Sequence, residues 1–261
     1  MALRIGDRLL VAPNWLSADT EESVVGTEWH QEAGGALAAM LRISAERQGD
    51  GWDACEEIEL SDLFHEDGSP YPARPDVMVL ARPIDKGRAA TTVAESGVPL
   101  FIAEIASRST VRNDREGKRI AYAAIGVPEY VVFDPSERLL GPGRVMEAWR
   151  LPTPDARVYA SWAPEPDGEW RSRALGVTLH PDPPFLYVRA RDGFLIPHYA
   201  VAVQQHAAVV REREAAQAAR LRAEEQARQA EERQRAAAER IRLLEEELRL
   251  LRGDELGEQG S

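Results

Sequence analysis

The chain has 261 residues with 44 Asp and Glu against 32 Lys and Arg, a formal net charge of −12, which excludes a protein held on nucleic acid by bulk positive charge. A single cysteine, Cys55, rules out an internal disulfide and fits a reducing compartment. The opening MALRIGDRLLVAPNW lacks a long apolar stretch and no run is long enough for a membrane span, so the sequence reads as a soluble cytoplasmic protein.

The length suits one domain of about 200 residues with an appendage. Residues 1–200 carry 21 basic and 31 acidic side chains, and residues 201–261 carry 11 and 13. The acidity therefore lies in the first part, as a site that gathers carboxylates around a cation would require. Lysine occurs only at Lys86 and Lys118, and arginine supplies the other positive charges.

In chain order, residues 24–47 predict an amphipathic helix with Leu37, Met40 and Leu41 on one stripe. Residues 52–64 alternate in part and predict a strand. Residues 65–75 hold Gly, Ser and three prolines, the chemistry of turns. A second strand is predicted over 76–83 behind Pro75, then a polar loop over 84–98. Residues 99–107, PLFIAEIAS, predict a third strand that is apolar on both faces except at Glu104. A helix is expected over 114–125, with Asn113 and Glu116 at capping-box spacing and Gly126 and Pro128 ending it. A fourth strand follows at 129–134, a turn at 141–144 and a fifth strand at 145–151. Strand, helix and strand over 99–134 make a βαβ unit. Residues 152–200 read as an irregular extension with short strands at 157–162 and 184–189.

From 201 the composition changes to Ala, Glu, Gln, Arg and Leu, with no Gly or Pro before Gly253. A heptad frame places Ile241, Leu244, Leu248 and Leu251 at a, d, a, d, preceded by Ala237, Ala230, Ala223, Ala216 and Val209 at d. The domain plan is thus 1–200, a coiled-coil helix over 201–252 that pairs two protomers, and a disordered tail over 253–261. A solvated single helix held by i,i+4 Glu–Arg pairs is the competing reading.

Glu104 raises the functional question, because a carboxylate in a strand core costs several kcal/mol unless something pairs with it. Asp76 opens the neighbouring strand. Asp114, Lys118 and Tyr122 follow at helical spacing on one face. Two carboxylates suffice for a Mg²⁺ or Mn²⁺ ion that keeps several waters. A lysine ammonium beside them stabilises charge on a phosphate under attack. That is the outline of a phosphodiester-cleaving site.

Four motifs carry a resemblance. These are RPD at 74–76, IAEIASRST at 102–110, DREGK at 114–118 and GVPEYVVFD at 126–134. Together they resemble the Uma-type restriction-endonuclease family of the PD-(D/E)XK nuclease superfamily, over roughly residues 20–195. The resemblance implies an α/β (α+β) fold with a mixed sheet flanked by helices, a Mg²⁺ or Mn²⁺ site and DNA as substrate. It implies Asp76 and Glu104 as metal-binding carboxylates and Lys118 as the third catalytic residue, with His30 and Asp114 as possible accessory residues. The superfamily's lysine, two positions after the Glu, is here Ala106, and Lys118 on the next helix takes its place.

Each residue also has a plainer role. Asp76 suits a turn before a strand, Asp114–Lys118 a surface ion pair, Tyr122 packing, His30 a helix position, Cys55 packing, and Asp134 a cap on the turn at Pro135. Arg108, Arg112, Arg115 and Arg119 suit either phosphate contact or the balancing of nearby acids. Two functions follow: a metal-dependent DNA endonuclease acting as a homodimer, or a nuclease-fold protein that no longer cuts and recruits a partner through its coiled coil.

Overall fold

Residues 99–134 fold into a strand, a helix and a parallel strand, and the main sheet is built outward from that unit. The computed structural model describes residues 3–5, 8–12, 28–85, 87–198 and, with gaps, 210–244. The chain divides into two units, Met1–Val201 and Ala202–Ser261.

In the first unit the strands are β1 (Leu3–Ile5), β2 (Arg8–Ala12), β3 (Asp53–Glu56), β4 (Glu59–Leu60), β5 (Leu63–His65), β6 (Val77–Leu80), β7 (Ala90–Thr91), β8 (Phe101–Ile105), β9 (Glu129–Phe133), β10 (Met146–Arg150), β11 (Ala160–Ser161), β12 (Trp170–Arg171), β13 (Thr178–Asp182) and β14 (Phe185–Arg189). Helix α1 is Glu28–Gln48 and α2 is the single turn Val93–Ser96. The third helix, α3, runs from Val111 to Ile125. It consists of Val111–Asn113, a π turn over Asp114–Lys118, and Arg119–Ile125.

The main sheet has the order β11-β10-β9-β8-β6-β3. Every pairing in it is antiparallel except β8 with β9. The parallel pair needs a crossover, which α3 supplies. All five residues of β8 and all five of β9 are buried, as strands covered on both faces must be. Phe101, Ala103 and Ile105 pack in one core with Leu37, Met40 and Leu41 of α1 and with Leu179 and Val188 of the β12–β14 sheet. Ile102 and Ala106 pack in the other core with Ala121, Tyr122 and Ile125 of α3. Glu104 shares the alternation of Ile102 and Ala106, so it points to the α3 side.

Several boundaries differ from the sequence reading. The single strand expected over 52–64 is three short strands, with Glu57 between them at positive φ. The loop at 84–98 contains β7 and α2. Strands β12 and β13 were not expected at all, because Pro181 interrupts the alternation of β13 and the two residues of β12 are too few to show one. The capping box at Asn113 and Glu116 does not form. The helix starts three residues earlier, Asn113 is itself helical, and its side chain makes no cap. The turn before it is held by Ser107, whose carbonyl accepts from Val111 N and whose Oγ accepts from Thr110 N. Gly126 ends the helix as expected, at φ +96 with its N–H on Tyr122 O and Ala123 O.

In the second unit, the described residues between 210 and 244 are helical and exposed. Arg228 pairs with Glu225, and Arg235 lies 3.9 Å from Glu231. Ile241 and Leu244 are 58% and 46% exposed. Leu248, Leu251 and the tail over 253–261 lie outside the described residues, as do 24–27 at the expected start of α1.

Asp134 is fully buried where β9 ends. Its carboxylate accepts hydrogen bonds from Ser136 N, Ser136 Oγ, Leu139 N and Leu140 N. It thus shapes the loop that follows Pro135. Burial alone would push its carboxyl up, but these donors outweigh burial and hold it below the usual range. A depressed carboxyl stabilises the fold above its unfolded pKa, and that contribution is lost as pH falls through the lowered folded value. Asp134→Ala is expected to cost about 2–4 kcal/mol at neutral pH. Urea unfolding of both proteins should show the difference shrinking in acid.

Candidate active site

The antiparallel register of β6 and β8 pairs Val77 with Ala103. One step outward along that register are Asp76 and Glu104. Asp76 precedes the first residue of β6, so its side chain is not bound by the strand's alternation. Its Oδ2 accepts from the backbone N–H of Ile105 at 2.6 Å, and its Oδ1 lies 3.0 Å from His30 Nε2. Helix α1 therefore delivers His30 to the start of β6.

Glu104 is 1% exposed. Its Oε2 accepts from Lys118 Nζ at 3.0 Å and its Oε1 from the Tyr122 hydroxyl at 2.9 Å. Lys118 is also buried, and its Nζ lies 3.2 Å from Asp114 Oδ1. The lysine on the helix thus reaches the carboxylate on the strand. The surface ion pair considered for Asp114 and Lys118 is instead a buried one, with both side chains at 4% exposure or less. Tyr122 packs, and it is also a hydrogen-bond donor to Glu104. The signal was its place on the same helical face as Asp114 and Lys118.

The π turn over Asp114–Lys118 is the local device behind this. A π turn adds a residue to the helical circuit and so changes which side chains face the sheet. Asp114, Gly117 and Lys118 are all buried in it. The Asp114 carbonyl receives the Tyr130 hydroxyl of β9 at 2.8 Å. This second tyrosine has no counterpart in the sequence reading, because nothing in the local pattern points a β9 side chain at a helix carbonyl.

The electrostatics are unbalanced. Asp76, Glu104 and Asp114 face one ammonium and one imidazole. Neither oxygen of Asp114 has a donor in good hydrogen-bond geometry, and His30 Nδ1 is buried without a partner among the described residues. Burial pushes the Asp114 carboxyl up to about 6, although Lys118 and Thr110 pull it down; Asp76 adds to the rise. Burial alone would depress His30, but the hydrogen bond and charge of Asp76 outweigh it and raise the imidazole. Asp76 is held below the usual range, because His30 and Lys118 outweigh its burial.

Three of the four arginines near α3 have partners of their own. Arg115 makes two 2.8 Å bonds to Glu147, Arg112 reaches Glu116 at 3.3 Å, and Arg119 lies over the Trp149 ring. Cys55 donates to Met78 O, and burial drives its thiol up to about 12, so it is a packing residue. Among the described residues no three His, Cys, Asp or Glu side chains converge as a ready metal cage, and no helix is long and apolar enough to cross a membrane.

The family comparison agrees with the motifs. Residues 20–145 match the Uma2 family, described as "Putative restriction endonuclease". That interval holds His30, Asp76, Glu104, Asp114 and Lys118. Among solved structures the chain is similar to "a putative nuclease belonging to DUF820 from Anabaena variabilis ATCC 29413", at 17% identity and a TM-score of 0.33, covering 54% of this chain and 74% of that one. No curated protein matches.

The raised Asp114 carboxyl gives a signed expectation. Between the ordinary value of 3.8 and about 6 the folded state binds the proton more readily than the unfolded chain. The contribution of Asp114 to stability should therefore fall as pH rises across that window, by an amount on the order of 2–3 kcal/mol. Asp114→Asn should flatten the slope, and urea titrations at several pH values between 4 and 7 would show whether it does.

Proposed function

With the Uma2-type match over residues 20–145 as premise, we propose that the protein is a metal-dependent DNA endonuclease. Asp76 and Glu104 would hold Mg²⁺ or Mn²⁺, and Lys118 would act beside them. The observation that carries this reading is the buried cluster itself. Glu104, Lys118 and Asp114 are each at most 3% exposed, and their negative charge exceeds what their protein partners neutralise. The donor set fits a hard cation: carboxylate oxygens with spare lone pairs, no thiolate, and space in the charge balance for a divalent ion. When bound, such an ion would activate water and polarise a phosphoryl oxygen.

The chain's own residues do the rest. Tyr122 and Lys118 fix the two oxygens of Glu104, so its carboxylate does not have to be ordered when substrate arrives. His30 and the Ile105 N–H do the same for Asp76. Asp114 holds the Lys118 ammonium toward Glu104, where it would meet charge developing on a phosphate. The C-terminal helix would pair two protomers, one site for each strand of a duplex.

One observation favours a second reading. Both oxygens of Glu104 and both of Asp76 already accept donors from within the protein. A network closed in this way also suits a nuclease fold that has stopped cutting and serves as a partner-recruiting module.

Nicking of supercoiled plasmid in Mg²⁺ or Mn²⁺ tests the two. Because removing one partner of a buried ion pair costs about 3–5 kcal/mol, the variants should be the near-isosteric Glu104→Gln and Asp76→Asn, each checked for folding by circular dichroism. We expect each to lower nicking by at least about 100-fold and to weaken Mn²⁺ binding in titration calorimetry. Folded wild type that binds neither metal and leaves the plasmid intact would reject the endonuclease in favour of the recruiting module.

A further inference from the structure

Beyond Glu104 the sheet opens into a cleft of about 810 Å³ that the cluster above does not use. It lies at the carboxyl ends of β8 and β9, the parallel pair of the main sheet. The Ala106 N–H still bonds Phe133 O, and from there the two chains diverge into the loops after β8 and β9. The turn between β13 and β14 makes the third wall. The volume is within the range of about 300–1,000 Å³ typical of ligand sites. Ala106 lines it two residues after Glu104, on the same face of the strand, so the cleft begins where the carboxylate cluster ends.

Its polar lining is mostly donors, with Glu137 the exception. Ser107 and Ser109 bring hydroxyls, Arg108 and Arg138 bring guanidinium groups, and the Ser136 hydroxyl is already given to Asp134. Ser107 Oγ is held by Ser109 Oγ at 3.1 Å and Thr110 Oγ1 at 2.8 Å. Neither Arg108 nor Arg138 has a carboxylate partner among the described residues. Arg112, Arg115, Arg150 and Arg189 are paired, whereas Arg82 and Arg173 also have no carboxylate partner among the described residues; what sets Arg108 and Arg138 apart is that both line one cleft. In a chain of net charge −12, two arginines on one cleft that no described carboxylate contacts suit an anion from outside. Glu137 also lines the cleft and offsets one of the two charges. Asp134 fixes the loop carrying Arg138 through four hydrogen bonds, so that wall is ordered before any ligand binds.

We propose that this cleft is a phosphate subsite for the DNA strand, in which Arg108 and Arg138 grip a phosphodiester next to the one presented to Glu104. The proposal rests on the endonuclease reading for its substrate. The chemistry is that of phosphate recognition in general: planar guanidinium forks and hydroxyls donating to anionic oxygens. It places the strand along the line from Glu104 past Ala106 to the two loops, and it explains how an acidic protein would hold an acidic polymer at one point on its surface.

The test is fluorescence anisotropy of the full chain with a short labelled DNA duplex, at several KCl concentrations, run beside the plasmid-nicking assay. Arg108→Ala/Arg138→Ala is expected to weaken binding about tenfold and to reduce the slope of log affinity against log salt by about 2, one for each lost phosphate contact. Arg108→Lys/Arg138→Lys should restore most of the slope, since the charge is kept. Both arginines are exposed, so the variants should fold, and an unchanged thermal midpoint would verify it. If wild type nicks DNA while the double alanine variant binds with unaltered affinity and slope, the subsite is rejected and the endonuclease stands. If the variant loses affinity and slope but wild type never cuts, the subsite stands and the cleavage reading falls. If wild type neither binds the duplex nor nicks, both fall.

Discussion

The Glu104–Lys118 pair, 3.0 Å apart and almost wholly out of water, is the constraint on which the candidate site depends. Two charges removed from solvent cost several kcal/mol each, and their attraction repays this only when geometry is good and the remaining lone pairs are met. Here Tyr122 meets the other oxygen of Glu104 and Asp114 approaches the same ammonium. The pair therefore needs the α3 helix at one rotation and one distance from β8. Ala121, Tyr122 and Ile125, packed in one core with Ile102 and Ala106, set that distance. The π turn sets the rotation.

The same arrangement leaves a deficit of positive charge. A buried site built for stability alone would balance its acids, or would replace them with apolar side chains at no loss. This one keeps a carboxyl at Asp114 that burial pushes toward neutrality, beside two further acids. Strain of this kind is commonly kept where chemistry is done. The paired arginines on the outer surface of α3 make the contrast plain, because there every acid that approaches is matched.

Much of this was legible in the sequence. Glu104 stood out as the one charge in PLFIAEIAS, and helical spacing alone put Asp114, Lys118 and Tyr122 on one face. The order of strand, helix and strand followed from hydrophobic runs separated by Gly126 and Pro128. What could not be read was tertiary. A capping box at Asn113 and Glu116 satisfies the local pattern, yet Ser107 and Thr110 start the helix first, and a local match loses to an earlier nucleus with better hydrogen bonds. The π turn has no composition signal. His30 is 46 residues from Asp76, and nothing short of the packed α1 helix reveals that they meet. Strand β13 was missed because Pro181 interrupts its alternation, and β12 because two residues, Trp170 and Arg171, are too few to show one. The surface ion pair expected of Asp114 and Lys118 is buried because a spacing rule gives only which residues are neighbours, not which side of the helix faces the sheet.

The crossover helix has one more consequence, and it concerns the order of assembly. Glu104 is separated from Lys118 by 14 residues and from Tyr122 by 18, whereas Asp76 and His30 are separated by 46. Closing the longer loop costs about 1 kcal/mol more in chain entropy, and contacts between near neighbours in sequence form faster. The lysine half of the site belongs to a local unit that can take shape while the chain is still largely open. The histidine half must wait for α1 to dock. Pulse-labelled hydrogen exchange should find amides of β8 and α3 protected before those of α1, and simultaneous protection would mean that the site is assembled in one step.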